Sequence, residues 1–179
     1  MSRIDVFDVR AAVPPANVKE TSLSSGFTES RDQVQAELYR AIRHLDEAEM
    51  GAARRLISNA KRIFVVGTGR SALALRMVAM RWMHLGLVVH VVGETTTPAI
   101  VRGDLLVVAS GSGKTATVLH AVEVATSVGA EVLALTADRS SMLAAKATAL
   151  VVIEAAGKQE RDSAVSSQYA GSQIGRAHV

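Results

Sequence analysis

The chain has no cysteine, and aromatic side chains make up only 3% of its 179 residues. Without thiols, disulfides, thiol nucleophiles and cysteine-ligated zinc are excluded, and the composition suits a reducing cytoplasm, which is the expected location. With few aromatics, the core must be built from Val, Leu, Ala, Ile and Met. No apolar run reaches the roughly 18 residues of a membrane-spanning helix. The N-terminus has no charged segment followed by an apolar one, so neither a membrane span nor a secretory signal is expected. Long runs of one charge sign are also missing. Twenty basic and 17 acidic residues leave a net charge of +3, with the signs interspersed. There is no basic run interleaved with aromatics, so no nucleic-acid partner is expected. A mildly basic surface is compatible with small anionic substrates.

What is present is a chain with 49% apolar residues, long enough for one domain with its own core. Residues 1–28, with Pro14, Pro15 and the Ser-rich "TSLSSG", read as a loose N-terminal arm. From Glu29 to Asn59 the spacing of Val34, Leu38, Ile42 and Leu45 is helical, with a break expected near Gly51 before Leu56 and Ile57. A regular alternation follows. "RIFVVG" (62–67), "VVHVVG" (88–93), "DLLVVAS" (104–110), "EVLALT" (131–136) and "ALVVIEA" (149–155) read as strands. Helical stretches at 70–86, 115–128 and 141–147 lie between them. The strands are continuous apolar runs, the pattern of a parallel sheet covered on both faces. The expectation is a single doubly wound α/β domain over 29–172, with a five-stranded parallel sheet flanked by helices. Its ligand should sit at the carboxyl ends of the strands.

Two glycine-rich turns lie at such strand ends. "LLVVASGSGKT" (105–115) resembles a nucleotide phosphate loop, which requires glycine five residues before Gly113. That position is Val108, inside the strand, so the loop is too short to wrap a nucleotide phosphate chain, and no acidic strand end follows to hold magnesium. The stretch suits a smaller anion. Ser110, Gly111, Ser112, Gly113, Lys114 and Thr115 follow a strand and open a helix, whose first amides and dipole favour a phosphate. An ordinary turn with a helix cap is the alternative reading. "GTGRS" (67–71) repeats the arrangement after the first strand, with Gly69, Arg70 and Ser71 at the head of the next helix. A dinucleotide fingerprint would continue with glycine at Ala72, where alanine is tolerated, but the acidic residue after the second strand comes late, at Glu94. A third hydroxyl-rich stretch, "ETTTPAI" (94–100), follows the second strand. Three strand ends that carry Ser or Thr point to a phosphorylated polyol in one crevice, with no metal.

In order along the chain, "GTGRSALALRMVAMRWMHLG", "VVGETTTPAI" and "LLVVASGSGKT" resemble the 6-phospho-3-hexuloisomerases of the sugar isomerase (SIS) domain superfamily, over roughly residues 30–172. That resemblance implies interconversion of arabino-hex-3-ulose 6-phosphate and fructose 6-phosphate in formaldehyde fixation by the ribulose monophosphate route. The chemistry is enediol proton transfer without a cofactor. It also implies that residues 110–115 and Ser71 hold the phosphate, that Arg70 contacts phosphate or a sugar oxygen, and that Thr96 and Thr97 line the crevice. A homodimer or homotetramer is expected, with apolar helices at 30–57 and 72–85 supplying the contact surfaces. The family's general base is a glutamate in a "SLFEQ"-like stretch after a segment resembling "QYAGS" (168–172). Here Gly175 stands at that position within the atypical tail 173–179, which reads as a truncation or foreign residues. The phosphate site is thus expected without its usual base. Glu94, Glu154 and Glu160 are the other carboxylates near strand ends. His84 and His90 read as core or subunit-contact histidines, and Met77, Met80 and Met83 as packing residues. Two alternatives accompany this reading. One is a sugar-phosphate-binding module without catalysis. Against it, the regulators built on this domain carry a helix-turn-helix region for which residues 1–60 are too short and too weakly basic. The other is an isomerase of the superfamily acting on arabinose 5-phosphate or sedoheptulose 7-phosphate.

Overall fold

The computed structural model of the chain describes residues 20–153. The chain divides between Leu38 and Tyr39 into two compact units. Helix α1 (Glu20–Arg43) begins inside the stretch read as an arm and runs through this division. The second unit contains α2 (Glu47–Asn59), β1 (Ile63–Gly67), α3 (Gly69–His84), β2 (Val89–Val91), β3 (Leu105–Ala109), α4 (Ala116–Ser127), β4 (Glu131–Thr136), α5 (Met142–Lys146) and β5 (Ala149–Val152). The break between the first two helices falls at residues 44–46 and not at Gly51. The cause is Asp46, whose carboxylate accepts the Glu49 N–H at 2.9 Å and caps α2, as a short acceptor side chain does at a helix start. Gly51 lies within α2.

All five strands are parallel, in the order β2-β1-β3-β4-β5. Side chains alternate between the two faces of a strand, and here both faces are buried. Phe64, Leu106, Val108, Val132 and Ala134 pack on one side against Val118, Val122 and Ala125 of α4 and Leu143 of α5. Ile63, Val65, Leu105, Val107 and Leu133 pack on the other against Ala53 of α2 and Leu75 and Ala79 of α3. This explains the apolar runs in the sequence, because each fully buried Val, Leu or Phe contributes about 1.5–3 kcal/mol and the strand centres are covered on both faces.

β2 is shorter than the run from residue 88 to 93 suggests. The chain turns at Gly93, whose φ is 95°, and β2 pairs only with β1. Residues 92–104, between β2 and β3, form no helix. Right-handed crossovers place this connection over β1 on the α4 side, and Ile100 packs into the cluster there. An irregular strand of chain covers less sheet than a helix would. It leaves an apolar cleft of about 330 Å³ floored by Phe64, Val66 and Leu106 and walled by Ile100 and Val124.

The start of the sheet is clamped by charge. Asp104, 1% exposed, accepts Arg62 Nε at 3.0 Å, Arg62 Nη2 at 2.6 Å and the Val101 N–H at 2.8 Å. Arg62 also donates to the Ala99 carbonyl at 3.1 Å, so one guanidinium ties β1, β3 and their neighbouring connection together. Burial by itself raises the Asp104 pKa. The hydrogen bonds from Arg62 and Val101, with the positive charge of Arg62 and the field of His90, outweigh it and hold the carboxyl below its ordinary range. A depressed carboxyl stabilises the fold above its unfolded pKa, and that contribution disappears as pH falls through the folded value. Arg62→Met leaves Asp104 buried without its counter-charge. It is expected to lower the urea midpoint at pH 7, and that deficit is expected to narrow as pH falls, because protonation of Asp104 no longer removes a stabilising charge pair. A midpoint equal to the parent's at pH 7, or a deficit unchanged with pH, would contradict this assignment.

Candidate functional site

The order of strands changes direction at β1, since β2 lies on one side of it and β3 on the other. Gly67 at the end of β1 is in register with Ala109 at the end of β3. The turns that follow therefore leave the sheet side by side, about 4.8 Å apart at their roots. This is the switch point at which open α/β sheets take ligands. Each turn opens directly into a helix, α3 from Gly69 and α4 from Ala116, so two helix N-termini start from neighbouring strand ends. The first amides of each helix have no intrahelical partner, and both ends carry partial positive charge. Neither cap residue, Thr68 or Thr115, folds its hydroxyl back onto its own helix.

The second turn is held from behind. Ser110 is 5% exposed, and its Oγ lies 3.0 Å from Thr115 Oγ1. The Ser110 N–H donates to the Leu135 carbonyl at 3.0 Å and the Gly113 N–H to the Ser110 carbonyl at 3.0 Å. The Gly111 carbonyl accepts the Ala137 N–H at 3.1 Å and Thr136 Oγ1 at 3.1 Å. The Gly113 carbonyl accepts the Leu143 N–H at 3.2 Å. The carbonyls of Ser110, Gly111 and Gly113 are thereby occupied within the protein. Such a loop is organised before any ligand arrives, which lowers the entropic cost of binding.

Two glycines are required by geometry. At Gly67 a Cβ would lie 3.0 Å from the Ala72 nitrogen and 3.3 Å from the Ala109 carbonyl oxygen, both backbone. Gly113 has a φ of 59°, and a Cβ there would run into the Ser141 side chain. Positive φ costs other residues about 1–3 kcal/mol.

Of the residues singled out in the sequence, Gly69, Arg70 and Ser71 open α3, and Ser110, Gly111, Ser112, Gly113, Lys114 and Thr115 form the turn before α4. Ser71 is half-buried, and Arg70, Ser112 and Lys114 are exposed. The Lys114 N–H reaches Ser112 Oγ at 3.4 Å. Lys114 also faces Asp138, whose carboxyl is held below its ordinary range by hydrogen bonds from the Ser140 hydroxyl and amide, with the charge of Lys114 adding to them. Thr96 and Thr97 sit on the β2–β3 connection. Thr96 is exposed. Thr97 donates to the Val91 carbonyl at 2.6 Å and lines the apolar cleft. Glu94 is exposed and lies 3.8 Å from Arg76. His90 stacks at 5.1 Å on Phe64, whereas His84 is exposed at the end of α3. Met77, Met80 and Met83 do not pack in this unit's core. They are exposed at 67%, 55% and 52%, because α3 buries its Leu75 and Ala79 side. Glu154, Glu160, Gly175 and the tail 173–179 lie outside the described residues.

The sequence reading did not single out Thr136 and Ser141, which back the glycine turn. Thr136 had a signal, being a hydroxyl residue at the end of a strand, as Ser110 is. Ser141 had none, because its contact with Gly113 depends on how the fourth and third strands are placed.

The family model described as the SIS domain matches residues 56–170, and the chain belongs to that family. It is similar to the 3-hexulose-6-phosphate isomerase of Mycobacterium gastri, at 52% identity over 128 residues that cover 72% of this chain and 64% of that protein. A 3-hexulose-6-phosphate isomerase of Bacillus subtilis is 32% identical over 133 residues, covering 74% of this chain and 72% of that one. A crystal structure of a Methanococcus jannaschii protein, for which a function of 3-hexulose-6-phosphate isomerase was inferred, matches with a TM-score of 0.66 at 30% identity and covers 76% of this chain and 79% of that one. The chain thus spans just under two thirds of the length of its Mycobacterium relative.

Gly113→Ala is expected to cost about 1–3 kcal/mol from backbone strain alone, read as a lower guanidinium midpoint. A midpoint equal to the parent's would contradict the role given to this turn.

Proposed function

We propose that the chain is a sugar-phosphate isomerase that interconverts arabino-hex-3-ulose 6-phosphate and fructose 6-phosphate, in formaldehyde fixation by the ribulose monophosphate route. The observation that carries this reading is the pair of helix N-termini joined at the β1/β3 switch point, with Ser71, Ser110 and Thr115 around them. The similarity to the named isomerases supports the choice of sugar. Backbone amides of α3 and α4, with the hydroxyls, bind the phosphate. Lys114 and Arg70 add positive charge at its rim. The sugar then extends toward the ends of β1 and β2, where Thr96 and Glu94 lie.

The reaction moves a proton between adjacent carbons through an enediol. It needs a general base beside the carbons and a donor that stabilises the enediolate. The two turns anchor the substrate and hold its carbons in place. Their titratable side chains, Arg70 and Lys114, are cations and serve as charge stabilisers rather than bases. With Gly175 in place of the family's glutamate, a second reading stands beside the first, in which this chain binds the sugar phosphate without turning it over. Self-association as a dimer or tetramer is supported by the stripe Leu73, Met77 and Met80 on α3, spaced four and three residues apart and exposed at 63%, 67% and 55%. Contiguous exposed apolar surface of this kind marks contact sites.

Solvent deuterium tests the two readings. Fructose 6-phosphate incubated with the chain in D₂O and followed by NMR is expected to exchange at a carbon-bound proton if a base is present, and to bind without exchange if Gly175 has removed it. Absence of both binding and exchange would contradict the whole assignment. Ser110→Ala removes a hydroxyl from a charged ligand and leaves Thr115 without its neighbour. Hydrogen bonds to charged groups contribute about 1.5–3 kcal/mol, so affinity for fructose 6-phosphate is expected to fall by roughly 10- to 100-fold in calorimetry. Unchanged affinity would remove Ser110 from the site.

A further inference from the structure

We propose that Glu49, on the first turn of α2, is a positioning residue for the phosphate-binding turn, acting through Arg139 and the loop 137–141. The proposal rests on the reading of residues 110–115 as that turn. Glu49 uses both carboxylate oxygens. Oε2 accepts the Val152 N–H at 2.9 Å, and Oε1 pairs with Arg139 Nη2 at 2.6 Å. Its side chain is 14% exposed, and a carboxylate this enclosed is stable only when its acceptors are filled.

The two partners lead to the same place. Val152 ends β5, an edge strand whose single neighbour is β4. The next residue, Ile153, donates its N–H to the Thr136 carbonyl at 2.9 Å. In a parallel pair successive amides point to opposite sides, so the Val152 N–H faces outward. Glu49 fills that edge position and fixes where the chain leaves the sheet. Arg139 lies in the loop between β4 and α5. That loop is bound on its other side to the glycine turn, by Ala137 N–H and Thr136 Oγ1 on the Gly111 carbonyl and by Ser141 against Gly113. The Asp138 N–H donates to Thr136 Oγ1 at 3.3 Å, closing the connection. A carboxylate on α2 and the glycine turn therefore grip opposite sides of one short loop. Releasing Glu49 frees the loop to shift, and the carbonyls of Gly111 and Gly113 lose their fixed partners.

Arg139→Ala tests the ion-pair branch without disturbing the core, since the Arg139 side chain is 65% exposed. Glu49→Gln keeps an acceptor for Val152 and removes the charge. Both variants are expected to speed amide hydrogen exchange at Gly113, Ala137 and Leu143 while leaving Phe64 and Leu75 unchanged. They are also expected to weaken fructose 6-phosphate and inorganic phosphate binding alike, by about twofold to thirtyfold, the range of couplings carried through such networks. The double variant is expected to match the single ones, because the two residues act in series. Unchanged exchange at those three amides, with only a lower melting temperature, would reduce Glu49 to an edge cap and overturn the proposal. If the parent chain bound neither phosphate probe, the phosphate reading would fail, and the exchange measurement would still decide whether Glu49 holds the turn.

Discussion

The parallel pairing of β1 with β3 is the constraint on which the rest of the structure depends. Five consecutive residue pairs, from Ile63 with Leu105 to Gly67 with Ala109, fix these two strands in register. At the start of the pairing, Arg62 and Asp104 lock the register by charge. At its end, the same register sets two glycine-rich turns beside each other. A slip of one residue would turn every side chain to the opposite face. It would also separate the two helix N-termini. The ionic clamp and the two glycine-rich turns are thus opposite ends of one device, with the most deeply buried part of the core between them.

That core explains why the site is rigid. Val118 and Val122 of α4 are fully buried one and two turns beyond Thr115, so the start of α4 cannot move without disturbing the sheet. On the other side, Leu75 and Ala79 fix α3 in the same way. The turns themselves carry almost no apolar contact. The turn at 110–115 takes its shape from hydrogen bonds to Leu135, Thr136, Ala137 and Leu143, that is, from the end of β4 and the start of α5.

Much of this was legible in the sequence because parallel sheets leave a strong trace. Buried strands appear as unbroken apolar runs, and glycine must stand wherever backbone approaches backbone, as at Gly67. The residues of the two turns were readable for the same reason, since their positions at strand ends follow from the pattern. Features set by partners distant in sequence were not readable. The helix break falls at Asp46 because a carboxylate finds an amide, and Gly51 carries no such constraint. The methionines of α3 look like core residues by composition, but which side of a helix is buried depends on the sheet beneath it. The sequence already showed no helical spacing between β2 and β3, but not the apolar cleft left there beside a short edge strand that turns at Gly93. The placement of Thr97 over that cleft follows from the same turn.

The central claim is that the switch point between β1 and β3 holds the phosphate of a sugar. A crystal structure of the chain with fructose 6-phosphate would test it most directly. The phosphate is expected between the first turns of α3 and α4, within hydrogen-bond distance of Ser71 and of the hydroxyls and amides of residues 110–115. A phosphate bound elsewhere, in the cleft over Phe64 or on the surface of α3, would contradict the account, whatever activity the chain displayed.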